Sequence, residues 1–227
     1  KVFVLSAEHG ETVFLEGKPT NTAGYNATYL GPTLRAHKGD HVRIVLTNNL
    51  SQPITTHWHG MHLPAMMDGG PHQEIAPGGI WEPQWTIENE AATLWYHPHI
   101  LERTGEQVYS GLAGLFIIGD ENSDSLSLPK EYGVDDIPLI VQDREFREDG
   151  EFVYEPQRRD ELGHTGMLGD TILVNGTYAP FVDVPAKQIR LRILNASNAR
   201  RYNFGFEDGR TFYQIATDGG LLPSPVS

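Results

Sequence analysis

The chain of 227 residues contains no cysteine. Structural disulfides, Cys-based zinc sites and thiol nucleophiles are therefore excluded. A blue-copper electron-transfer centre within this stretch is excluded too, because it needs a thiolate beside two imidazoles. No apolar run approaches the ~20 residues that cross a bilayer as a helix. The longest, Leu112 to Ile118, is interrupted by Gly114 and reads as a buried strand. Basic residues are scarce: 17 Lys and Arg stand against 30 Asp and Glu, a formal charge of −13. With no basic stripe to neutralise phosphates, nucleic acid and anionic membrane surfaces are poor partners, whereas an acidic surface concentrates cations. No glycine loop of the phosphate-cradling kind and no Gly-X-Ser-X-Gly elbow occurs, which argues against nucleotide binding and serine hydrolysis.

Helical periodicity is scarce, and strand signals fill the chain. Val2 to Leu5 and Thr12 to Leu15 read as short strands joined by a turn containing Gly10. Asp40 to Asn48 alternates, with Val42, Ile44 and Leu46 on one face, as a half-buried antiparallel strand does. Thr93 to His97 and Gly111 to Ile118 are further strands, and Met61 to Gly79 is a Gly- and Pro-rich loop. Residues 120–136 are polar and read as a connection. A new run of strands starts at Ile137, and the charged stretch Arg144 to His164 reads as a solvated hairpin or loop. Asn175-Gly176 is a strong hairpin signal. Gln188 to Asn195 alternates Ile189, Leu191 and Ile193 against Arg190 and Arg192, and Thr211 to Thr217 is another strand. Many short strands with turns between them make an all-β sandwich the expected class.

Two histidine pairs organise this frame: His57-Trp58-His59-Gly60 and Trp95-Tyr96-His97-Pro98-His99. Side chains at i and i+2 of a strand share a face. Each pair therefore sets two imidazoles side by side, and two neighbouring strands would bring four of them to one metal cluster. Trp58, Trp95 and Tyr96 are expected on the opposite face, as core. Pro98 withdraws a backbone donor and places His99 at a strand end or in a loop.

His-Trp-His-Gly followed by Trp-Tyr-His-Pro-His resembles the N-terminal part of a multicopper oxidase. The surrounding motifs agree: Met67-Asp68-Gly69-Gly70-Pro71, Ile75-Ala76-Pro77-Gly78-Gly79, Thr104-Gly105-Glu106-Gln107 through Gly111-Leu112-Ala113-Gly114, Gly169-Asp170-Thr171 with Asn175-Gly176, and Thr217-Asp218-Gly219-Gly220-Leu221-Leu222. Together they resemble the bacterial three-domain subgroup of copper-efflux oxidases and laccases, over essentially the whole chain.

The resemblance implies cupredoxin-like Greek-key β-sandwich domains. One is complete at residues 1–119, a linker covers 120–136, and residues 137–227 form the first part of a second. The remaining C-terminal segment of the same protein is expected to close that second sandwich, which would otherwise expose strand edges and an apolar face. The implied cofactor is copper. His57 looks like a type-2 ligand, and His59, His97 and His99 look like ligands of a type-3 pair. The type-1 copper, with its Cys, belongs to the absent part. The implied reaction couples one-electron oxidation of phenols, aromatic amines or metal ions to reduction of O2 to water. Asp68 looks like a carboxylate that delivers protons near the type-2 copper; an ordinary Asp-Gly turn is the alternative.

His62 reads as a polar neighbour of the cluster. His9, His37, His41, His72 and His164 read as surface or packing residues, and Met61, Met66 and Met67 as core or loop packing. The resemblance favours an exported protein, periplasmic or extracellular, with its signal peptide removed. Three competing readings stand beside it: a copper-free or copper-binding structural relative, some of which are division-associated; a two-domain nitrite reductase, disfavoured by the missing Cys; and a mononuclear metal-binding module.

Overall fold

Period-two alternation builds most of the molecule. The computed structural model describes residues 1–157 and 166–227. Among these, the strands begin with β1 (Val2–Leu15), β2 (Lys18–Tyr25), β3 (Leu34–His37), β4 (His41–Asn48) and β5 (His57–His59). β6 (Ile80–Trp81), β7 (Gln84–Thr86) and β8 (Ala92–His97) follow, then helix α1 (Thr104–Ser110), β9 (Gly114–Gly119) and helix α2 (Glu121–Ser125). The chain continues through β10 (Asp136–Arg144), β11 (Thr171–Val174), β12 (Thr177–Tyr178), β13 (Arg190–Asn195), β14 (Gln214–Thr217) and β15 (Gly220–Val226).

One sheet runs β2-β1-β4-β6, with β7 also on β4; a second runs β3-β9-β8-β5. They face each other across a core in which Val42, Ile44 and Leu46 of β4 meet a cluster containing Trp58, Leu94, Tyr96 and Phe116. The expected inward face of β4 is thus the observed one. Aromatic pairs cross the gap: Phe3 with Phe116 at 5.9 Å, Tyr25 with Tyr96 at 5.2 Å and Trp58 with Trp85 at 5.5 Å between ring centroids. Such pairs contribute about 0.5–1.5 kcal/mol each beyond the area they bury.

Two expectations need correction, and one short helix is an addition. Val2 to Leu15 is a single strand without a turn at Gly10; its first half pairs in parallel with β4 and its second half antiparallel with β2. Gly10 is there because a Cβ would lie 2.5 Å from the Thr28 Cα, so it marks a close approach of backbone. Thr104–Ser110 is helical, too short to show a period, and ends at Gly111 with φ +123°. Arg144, read as the start of a solvated stretch, is fully buried at the end of β10, its guanidinium 4.3 Å from the Tyr109 ring centroid. Residues 158–165, including His164, lie outside the described residues. The Asn175-Gly176 turn joins β11 to β12 as expected, both residues having positive φ (50° and 72°), as a tight hairpin of this hand requires.

The third sheet runs β12-β11-β10-β13. The alternation of β13 holds, but its polar face is the packed one. Arg192 forks onto Asp136 (2.7 and 2.8 Å) and gives its other nitrogen to Thr93 Oγ1 of β8 (2.9 Å). Leu191 and Ile193, on the opposite face, are exposed, as are Phe181, Phe204 and Phe206. Arg192 therefore ties β10 and β13 to the strand that carries the second histidine pair. The loop after β5 also folds back on that sheet. Trp58 N donates to Asp68 O at 3.3 Å. Gly69, at φ +74°, runs so close that a Cβ would lie 1.7 Å from the Thr56 carbonyl oxygen.

Arg192→Leu strands a carboxylate that is 6% exposed. It is expected to cost stability toward the lower end of about 3–5 kcal/mol, because Arg190 still lies 3.9 Å from Asp136; urea unfolding measures it. Gly69→Ala is expected to lose more than about 1 kcal/mol in the same assay, from positive φ and the clash together. An unchanged midpoint in either case would contradict the packing described.

Candidate metal centre

β5 pairs antiparallel with β8 so that His57 lies opposite His97, Trp58 opposite Tyr96 and His59 opposite Trp95. Trp58 and Tyr96 point inward and are almost fully buried. The histidines take the other face. The Tyr25 hydroxyl meets Thr56 Oγ1 at 2.9 Å, and His99 N donates to Thr55 Oγ1 at 2.7 Å, so two buried threonines hold the segment before β5 and the loop after β8. His99 lies beyond the strand end, where Pro98 stops the ladder.

The four rings meet. Ring centroids of His97, His99 and His59 lie 5.5, 5.3 and 5.9 Å from that of His57. One ligand nitrogen from each of His57, His59 and His97 lies within 4.8 Å of the others. His99 is the outermost and most exposed of the four, 6.1 Å from His97 between centroids.

Backbone oxygens orient two of the rings. His57 Nδ1 is 3.0 Å from Asp68 O, and His97 Nδ1 is 2.7 Å from Pro98 O. A carbonyl can only accept, so Nδ1 carries the hydrogen in each ring and Nε2 keeps a bare lone pair. His59 is turned the other way, its Nδ1 3.4 Å from His97 Nε2. Burial, reinforced by the neighbouring imidazoles and opposed by the bond to Pro98 O, pushes His97 down to about 3. Burial likewise lowers His57, against the pull of Asp68. Both rings are therefore neutral near pH 7, which is the state that ligates metal.

Trp95 requires a correction. It does not face the core with Trp58 and Tyr96; it stacks on His97 at 4.0 Å and 30° and lies 5.3 Å from the His59 ring. Period two already places residue 95 on the face of residue 97, so the signal was present. Asp68 touches His57 twice, through its main-chain oxygen and through Oδ1, 3.3 Å from Nδ1. The Asp-Gly turn and the contact with His57 are thus the same feature, since Gly69 permits the approach. Asp218, in the Thr217-Asp218-Gly219-Gly220 motif, comes within 3.7 Å of His59 Nε2. The remaining described histidines stay apart: His9 meets Ser51, His37 meets Asp124 and the His62 amide meets Asn89. Met61 belongs to the core and Met66 is exposed.

The donor set is all imidazole, with His57 and His97 held neutral and their Nε2 atoms left without a hydrogen. Such a set suits copper, zinc, iron or nickel better than a hard cation that needs oxygen ligands. The residues present therefore fit copper.

Comparison with known proteins narrows the choice. A family model described as multicopper oxidase matches residues 6–123, more than half of the chain and the stretch that holds all four histidines. The chain is 45% identical over 222 residues to the "Cell division protein FtsP" of Edwardsiella tarda, covering 98% of this chain and 46% of that protein. Among solved structures, a laccase from Pediococcus acidilactici superposes with a TM-score of 0.92 at 41% identity, covering 99% of this chain and 48% of that one. The laccase-like multicopper oxidase CueO from Ochrobactrum sp. gives 0.91 at 41% identity, covering 99% and 50%. The chain spans about half the length of the relatives it matches. Their cupredoxin-like β-architecture is shared along the chain. With the family model matched across both histidine strands, this chain belongs to the multicopper oxidase family.

Proposed function

We propose that this chain is the N-terminal part of a copper-dependent oxidase that reduces O2 to water at the expense of a small reducing substrate. The observation that carries the reading is the convergence of His57, His59, His97 and His99, with His57 and His97 held neutral and their Nδ1–H groups turned away to carbonyl oxygens. His57 would hold a type-2 copper, and His59, His97 and His99 half the ligands of a type-3 pair. Copper, when bound, supplies the one-electron steps by which four electrons reach one O2. The chain's own residues do the rest. Asp68 O and Pro98 O fix which nitrogen of His57 and His97 faces inward. Trp95 covers the flat side of His97 and limits its motion. The Asp68 carboxylate, half-exposed beside His57, would relay protons between solvent and that side of the site.

The remaining ligands and the type-1 copper would come from the C-terminal segment of the same protein. Phenols, aromatic amines and low-valent metal ions are the substrate classes; the Ochrobactrum relative is described as active towards lignin model compounds. Export to the periplasm or beyond is part of the same proposal. Among the described residues no helix is long and apolar enough to cross a membrane.

A second reading is favoured by the curated relatives named for cell division: a family member serving as a structural or division-associated protein without oxidase chemistry. What supports the oxidase is the gathering of four imidazoles on one face, with His57 and His97 held neutral by burial and their Nδ1–H groups turned to carbonyls. A structural role gives no reason for that arrangement.

In the full-length protein, His97→Ala is expected to lose type-3 copper, read by metal analysis and by the near-ultraviolet absorbance of the cluster. Asp68→Asn is expected to keep its copper and slow O2 uptake with a phenol by about a hundredfold or more, the range of general acid catalysis. Copper-loaded full-length protein that consumes no O2 with any phenol, aromatic amine or cuprous ion would establish the structural reading instead. Unchanged turnover in Asp68→Asn would remove the proton-delivery role alone.

A further inference from the structure

The hairpin of β14 and β15 turns through Asp218 and Gly219, with Thr217 paired to Gly220. Although some 160 residues separate it from β5, the turn rests on the second sheet; a Cβ on Gly220 would meet Ala91 O at 3.3 Å. Asp218 Oδ2 lies 3.7 Å from His59 Nε2, the nitrogen on the far side of that ring from His97. Asp218 is 80% exposed, so its carboxylate is free to swing the remaining fraction of an ångström into hydrogen-bond range.

Unlike His57 and His97, His59 has no carbonyl among the described residues to decide where its proton sits. Two acceptors compete. On one side is His97 Nε2, a lone pair because His97 Nδ1–H is committed to Pro98 O. A proton on His59 Nδ1 would be drawn there and would close both inward lone pairs at once. On the other side is the Asp218 carboxylate. A charged acceptor outweighs a neutral one, although solvent weakens it at this exposure. The choice between two neutral tautomers of one ring needs only a small difference, and no change of charge.

We propose that Asp218 is a positioning residue: it holds the proton of His59 on Nε2 and so leaves Nδ1 bare and facing the cluster. Its relevance to metal binding rests on the copper reading above. The carboxylate reaches the ring from a different sheet, so docking of the hairpin and readiness of His59 become one event.

The test uses metal-free full-length protein with 15N-labelled histidine, at a pH where the rings are neutral. The His59 resonances are assigned by their loss in His59→Gln. Two-bond nitrogen–proton correlations are expected to put the His59 proton on Nε2 in the natural protein and to move it toward Nδ1 in Asp218→Ala. Asp218→Asn, which keeps an acceptor oxygen, is expected to stay close to the natural tautomer. Competition with a cuprous chelator is expected to show copper affinity about 10- to 100-fold weaker in Asp218→Ala. A His59 proton on Nδ1 in the natural protein, or an unchanged tautomer in Asp218→Ala, would overturn the assignment. Natural protein that takes up no copper while His59 keeps its proton on Nε2 would instead sink the copper reading and leave Asp218 in its role.

Discussion

Everything at the metal centre depends on one short pairing, the three residues of β5 laid antiparallel against the end of β8. A three-residue strand has few ladder bonds of its own. What holds it is the side chain between the two histidines. Trp58 is buried among Trp81, Trp85, Tyr96 and Phe116, and this fixes the register. A slip by one residue would send the indole into solvent and both imidazoles into the core. The same argument applies to Tyr96 beside His97. The apolar half of the alternation thus sets the geometry of the polar half.

The electrostatics follow from that placement. Three rings are centred 5.3–5.9 Å from that of His57, and burial with mutual repulsion keeps His57 and His97 neutral. Neutrality alone does not aim a lone pair. The aim comes from the acceptors behind the rings, two carbonyl oxygens and, as proposed, one carboxylate. Trp95 adds a flat wall that restricts His97 to a single plane.

Features governed by local period or turn chemistry were legible in the sequence. The inward face of β4, the Asn175-Gly176 turn and the shared face within His57/His59 all follow from neighbours one to four residues apart. Features governed by distant backbone were not. Gly10 looks like a turn until Thr28 is brought against it. Arg144 and Arg192 look solvated until Tyr109, Asp136 and Thr93 close around them. Trp95 differs for another reason: it is aromatic like Trp58 and Tyr96, but residue 95 shares the parity of residue 97. The place of Asp218 could not have been read at all, since it depends on how a hairpin docks on a separate sheet.

The carbonyls behind His57 and His97 have a further consequence. Every residue carries a main-chain oxygen, so the aim of these two rings is indifferent to which side chains occupy positions 68 and 98, provided the backbone path survives. Evolutionary drift at position 68 can therefore retune acidity beside the ring while leaving its orientation inherited intact. Position 69 has no such latitude, because the path itself runs through it.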